Sequence, residues 1–173
     1  YVGRLIPEKN VDVLLSAFDR VADRMADASL GIIGDGKDRD RLEQVRASLD
    51  YPERVTFLGR VESHRDVYAH MRAAEVFVLP SSREGFGITV VEAMAAGCLP
   101  VVVDHPESAA ADVVGPAGFT PTLAVDDIAN SIARGLDGER PPIDPMERAK
   151  RFDWEFVTDE LEEFYRELVT TDG

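Results

Sequence analysis

Five short, continuous apolar runs, "YVG", "SLGIIG", "RVTFLG", "EVFVLP" and "PVVV", recur along the chain with amphipathic stretches between them. Strands without polar alternation are covered on both faces, which is the condition of a parallel sheet sandwiched between helices. The intervening stretches have helical spacing. In "VDVLLSAFDRVADRM", Leu14, Phe18, Val21 and Met25 share one face, and Asn10 stands at the capping position. "DRDRLEQVRASL", "SHRDVYAHMRAA" and "GITVVEAMAAG" follow the next three runs. Ser63 and Asp66 have capping-box spacing, and Gly97 is a natural helix stop. Beyond the fifth run, "ESAAADVV" and "VDDIANSIARGL" predict two helices. "DGERPPIDP" reads as a loop and "DWEFVTDELEEFYRELV" as a closing helix over 153–170. This β-α-β-α order predicts an α/β fold, a doubly wound, Rossmann-like parallel sheet with right-handed crossovers. One domain spanning 1–173 accommodates it.

Ligands on such sheets bind beyond the carboxyl ends of the strands, so the loops after the apolar runs are the places to look. The first, "GRLIPEKN", holds Arg4 and Lys9, a planar fork of donors and a compact ammonium that together suit a diphosphate. The pairing gains weight from the charge balance. Nineteen basic residues stand against thirty-three acidic ones, giving −14, and only Lys9, Lys37 and Lys150 are lysines. That balance argues against a nucleic-acid partner. It resembles the acid-rich, lysine-poor composition of proteins from salt-loving archaea; an acidic protein from a GC-rich mesophile is the alternative.

The second loop, "GDGKDR", approaches the dinucleotide fingerprint G-x-G-x-x-G, but Arg39 occupies the sixth place, so a nicotinamide cofactor is disfavoured. In the third, "GRVES", the Arg60-Val61 backbone is free to meet a flat ring. The fourth, "PSSREGFG", runs directly into a helix whose first amides, near Gly87, Ile88 and Thr89, form an anion site. Glu84 precedes that helix and Glu92 lies about one turn inside it, in an otherwise apolar stretch. Carboxylates accept hydrogen bonds from sugar hydroxyls, so two of them flanking an anion site outline a nucleotide-sugar: ribose, diphosphate, hexose. Two other readings stay open, glycoside hydrolysis by paired carboxylates and a structural ion pair between Glu92 and Arg4.

The stretches "GRLIPEKNVDVLLSAF", "VTFLGRV" and "EGFGITVVEAMAAGCLPVV" resemble the carboxyl-terminal half of retaining glycosyltransferases with the two-domain GT-B fold, in the group 1 family (family 4). The likeness runs from Tyr1 to about Leu168, and its most specific element is the Glu84-x7-Glu92 spacing joined to "EAMAAGCLPV". The resemblance implies that Arg4 and Lys9 grip the donor diphosphate and that Glu84 holds the transferred sugar near the reacting carbon. It gives Gly85, Phe86, Gly87, Ile88 and Thr89 contacts to sugar and phosphate, Glu92 the ribose hydroxyls, and Arg60-Val61 the base. The closing helix resembles the segment that crosses back towards an amino-terminal, acceptor-binding domain, which this sequence lacks. One departure stands out. After the fifth run the family commonly has Gly-Gly and then a glutamate, where "VDHPESAAADVV" has His105-Pro106 and Asp112.

The resulting expectation is a donor domain for retaining glycosyl transfer. Its partners are a nucleotide-sugar and the absent domain, and it needs no cofactor and no metal. The alternative is a catalytically silent nucleotide-sugar-binding or regulatory module of the same fold. The opening "YVGRLIPEKN" begins within an apparent strand and reads as a piece of something longer, without a signal peptide. No apolar run approaches the roughly 18 residues of a membrane span. The single cysteine, Cys98, allows no internal disulfide and is expected to be buried and inert. These features suit the cytoplasm, with peripheral attachment to the inner face of the membrane, through the absent domain, left open.

Overall fold

The computed structural model describes residues 1–153 together with Glu155, Phe156, Thr158 and Glu162. Most of the expected closing helix over 153–170 lies outside the described residues. The elements run α1 (Val11–Arg24), β1 (Leu30–Ile33), α2 (Arg39–Ala47), β2 (Val55–Gly59), α3 (His64–Ala73), β3 (Val76–Leu79), α4 (Ile88–Ala95), β4 (Leu99–Val102), α5 (Ala110–Val114), α6 (Val125–Leu136) and α7 (Pro145–Ala149). β1 pairs in parallel with β2, and β3 in parallel with β4, each across a helical crossover. This is the expected α/β architecture. The register aligns Leu30 with Val55 and Val76 with Leu99.

The first apolar run forms less than expected. Instead of a full strand it makes a single parallel bridge, Val2 to Ile33, and among the described residues the ladders fall into two pairs. The reason is local. Gly3 N donates to Ile33 O, and by Leu5 the chain has turned aside to bond Asp35 O.

Every residue of β4 is buried, and both α4 and α6 rest on the β3–β4 pair, so the two helices cover opposite faces. α1 packs beside α6, and its Leu14, Leu15, Phe18 and Val21 are all but inaccessible to water. Removing such a side chain from water stabilises the fold by about 1.5–3 kcal/mol before entropic costs. β2 is more exposed than β4, as suits the outer strand of its pair. Cys98 is buried as expected; burial pushes its thiol up to about 11, and its Sγ lies 2.9 Å from the Met71 carbonyl oxygen. Ser63 caps α3 by accepting from Asp66 N, but Asn10 does not cap α1. Its backbone is left-handed (φ 48°), and its side chain turns away.

Candidate functional site

Three loops meet at the carboxyl ends of the strands. The segment from Gly3 to Asn10 is pinned first by the glycine turn after β1. Leu5 N donates to Asp35 O at 2.9 Å, and Leu5 O accepts from Asp38 N at 3.0 Å. A Cβ at Gly34 would overlap the Gly3 carbonyl oxygen, and one at Gly36 that of Leu5. These glycines serve close backbone packing and hold Arg4 between two fixed neighbours.

The same segment is stitched to the loop after β3. Ser82 N donates to Glu8 O at 3.0 Å, and the Asn10 amide donates to Pro80 O at 3.0 Å and Glu8 O at 3.3 Å. Asparagine is among the few residues that tolerate the left-handed conformation this requires. The third loop, after β4, is tied in by Ala109 N donating to Glu84 O at 2.9 Å. Glu84 is therefore held at the level of the backbone from two directions.

Its side chain forms an ion pair with the Lys9 ammonium, which also reaches Arg83 O at 3.5 Å. Side-chain exposures of 11% and 17% place this pair largely out of water. Lys9 was expected as a ligand-facing base and Glu84 as an acid awaiting a sugar; in the structure they bind each other. Arg4 is exposed, and its guanidinium makes no hydrogen bond or ion pair among the described residues. The structural pair weighed between Glu92 and Arg4 is thus not formed.

α4 begins at Gly87, whose φ of 83° only glycine adopts readily, and no side chain caps the amides that follow. A cavity of about 190 Å³ opens here, lined by Tyr1, Arg4, Lys9, Glu84, Gly87, Ile88 and Thr89 among others. Six expected residues from two distant stretches are brought together. Glu92 does not line the cavity, yet it lies three and four positions after Thr89 and Ile88, on the same helical face one turn deeper. It is half-buried and makes no hydrogen bond or ion pair among the described residues. Gly85, Phe86, Arg60 and Val61 also stand outside the cavity. Arg60 and Val61 follow Gly59 at the exit of β2, and Asp112 is exposed on α5. The Phe86 ring packs edge-on against Phe152, with centroids 5.6 Å apart.

Tyr1 was missed as a site residue. Its hydroxyl donates to Arg4 O at 2.9 Å. Burial, reinforced by the Glu84 carboxylate and opposed by Arg4, holds the phenol well above its ordinary range. No sequence signal distinguished it from an ordinary strand residue. A larger cavity, about 300 Å³, is lined by residues of β1 and β3 together with Tyr1 and Val2, which it shares with the first; no expected site residue lines it. Among the described residues no three His, Cys, Asp or Glu side chains gather as a metal-binding group, and no helix is long and apolar enough to cross a membrane.

A family profile described as glycosyl transferases group 1 matches residues 1–152. The chain is 34% identical over 175 residues to a phosphatidyl-myo-inositol mannosyltransferase of Mycobacterium leprae, covering 96% of this chain and 45% of that protein. The structure superposes on the lipopolysaccharide outer core galactosyltransferase WaaB with a TM-score of 0.79 and 26% identity, covering 96% of this chain and 48% of that one. A sucrose-phosphate synthase from Thermosynechococcus elongatus gives the same TM-score and identity, over 98% of this chain and 45% of its own. The chain spans less than half the length of each of these proteins.

Proposed function

Because this chain belongs to the glycosyl transferases group 1 family, we propose that it is the donor-binding half of a retaining glycosyltransferase. It holds a nucleoside-diphosphate sugar while an acceptor is presented by a domain outside this chain. The single observation that carries the reading is the cavity at the amino end of α4, where Arg4, Lys9 and Glu84 line one space with Gly87, Ile88 and Thr89. Cationic side chains and uncapped amides suit a diphosphate, and a carboxylate suits sugar hydroxyls.

In this reading the diphosphate lies across Arg4, Lys9 and the α4 amides, which stabilise the charge that builds on it as the glycosidic bond breaks. Glu84 and the Gly85–Phe86 backbone orient the hexose, Glu92 takes the ribose hydroxyls, and the Arg60-Val61 backbone meets the base. Catalysis rests on positioning and electrostatics and needs no resident metal. Removing one cationic donor is expected to cost about 10²–10³ in rate. The relatives named above are called mannosyl- and galactosyltransferases and a sucrose-phosphate synthase, so the hexose is left to experiment. The isolated chain is expected to bind donor and to transfer nothing at a useful rate; measurable turnover by the 173 residues alone overturns that part.

Calorimetric titration of the chain with uridine and guanosine diphosphates and their hexose esters tests the core of the reading. The expected result is saturable binding, weakened at least about tenfold in Arg4→Ala and in Lys9→Ala. Binding of NAD(H) alone, or no binding of any nucleotide, overturns it. The anomeric configuration of product made by the full-length protein, read by NMR, tests retention.

A further inference from the structure

We propose that Glu84 also acts against the product: by competing for Lys9, it makes the site favour the intact nucleotide-sugar over the nucleoside diphosphate left after transfer. This rests on the donor-site reading above. Its own observation is that the cavity's buried cation is already occupied. Lys9 Nζ is bonded to the Glu84 carboxylate, its other contact being Arg83 O at 3.5 Å. The carboxylate has no other hydrogen-bond partner among the described residues.

The backbone of Glu84 is fixed by the bond from Ala109 N and by its bridge to Ser108, and Lys9 is fixed by its own turn and by Asn10. The two side chains are therefore held within pairing reach of each other, and the pair re-forms whenever nothing else holds Lys9. A phosphate arriving at Lys9 meets a carboxylate only one ion-pair distance away, in a place poorly screened by water. With the intact donor, sugar hydroxyls donate to the Glu84 oxygens and replace what Lys9 withdraws from them. Once the hexose has left, nothing replaces those bonds, and Glu84 faces the diphosphate across a shared ammonium. Re-forming the Lys9–Glu84 pair then favours release. Arg4, exposed and unpaired, carries no such penalty.

The test compares affinities of the chain for uridine or guanosine diphosphate and for the matching hexose ester, by calorimetry, in the native sequence and in Glu84→Gln. The neutral isostere removes the competing charge while its amide still reaches the sugar. The diphosphate is expected to bind about tenfold or more tightly to the variant, while the ester gains less or loses, so the preference for the ester falls by a similar factor. Glu84→Ala, with thermal melting to verify folding, is expected to move the preference the same way. In a Lys9→Met background, the gain on Glu84→Gln is expected to shrink, because the shared cation is gone. If the native chain binds the diphosphate and Glu84→Gln binds it no more tightly, this inference fails while the donor-site reading stands. If the native chain binds neither ligand, both fail.

Discussion

Arg4 and Lys9 look alike in the sequence, two bases in one loop, but the structure gives them different surroundings. Lys9 is 9% exposed and paired with Glu84, whereas Arg4 lines the same cavity yet is exposed and unpaired. Removing one member of a largely buried pair leaves the other charge uncompensated, at a cost of about 3 kcal/mol, while removing an exposed unpaired base costs less than about 0.5 kcal/mol. Lys9→Ala is thus expected to lower the urea midpoint clearly, and Arg4→Ala hardly at all, though both weaken nucleotide binding. Equal effects of the two on stability would contradict the burial assigned to Lys9. The partnership was not legible beforehand because Lys9 and Glu84 are 75 residues apart and no local pattern says which carboxylate a lysine will find. Tyr1 escaped notice for a related reason: a strand aromatic and a site aromatic look the same until the fold brings Arg4 and Glu84 around one of them.

At the level of elements, the helices and strands were largely readable, because the apolar runs and the 3.6-residue periodicity are local signals. Ser63 capped as expected, while Asn10 did not, since its left-handed backbone reflects a tertiary demand, the reach to Pro80. The short α7 was not foreseen, since the expected loop ends at its first residue, Pro145, and nothing was assigned to 146–149; Asp144 caps it by accepting from Met146 N and Glu147 N. α7 packs on α4, and Phe152, in the turn that follows α7, meets Phe86 in the turn that precedes α4. The Arg148 guanidinium lies 5.3 Å from the Phe152 ring and donates to Val113 O and Asp112 O, both at 2.9 Å. This chain of contacts supports the Gly-Phe-Gly turn from behind. Phe152→Ala is expected to cost about 0.5–1.5 kcal/mol beyond lost area and to raise the donor dissociation constant. Phe152→Tyr is expected to restore both, as measured by denaturant unfolding and calorimetry. A donor affinity unchanged in Phe152→Ala would show that the turn holds its shape unaided.

For the whole molecule, a net charge of −14 is the dominant collective property. Several acids have found arginine partners on the surface, including Asp12 and Asp38 with Arg41, Glu43 with Arg39 and Glu139 with Arg134. With thirty-three acids against nineteen bases, carboxylates outnumber cations by fourteen, and that excess leaves a net mutual repulsion. Screening shortens the reach of that repulsion, so the thermal midpoint is expected to rise as potassium chloride goes from about 0.1 M to about 2 M. A flat or falling profile, followed by circular dichroism, would remove the case for adaptation to salt.

The candidate site draws its lining from the first segment, which bonds to β1, and from the loop after β3, and the bonds from Ser82 and Asn10 join the two. Whatever occupies that hollow touches both at once and works as a rivet. If the proposed donor binds there, its grip is expected far from the hollow itself, as slower breathing of β1 and β4 alike, and the domain's cohesion is expected to depend on the nucleotide concentration.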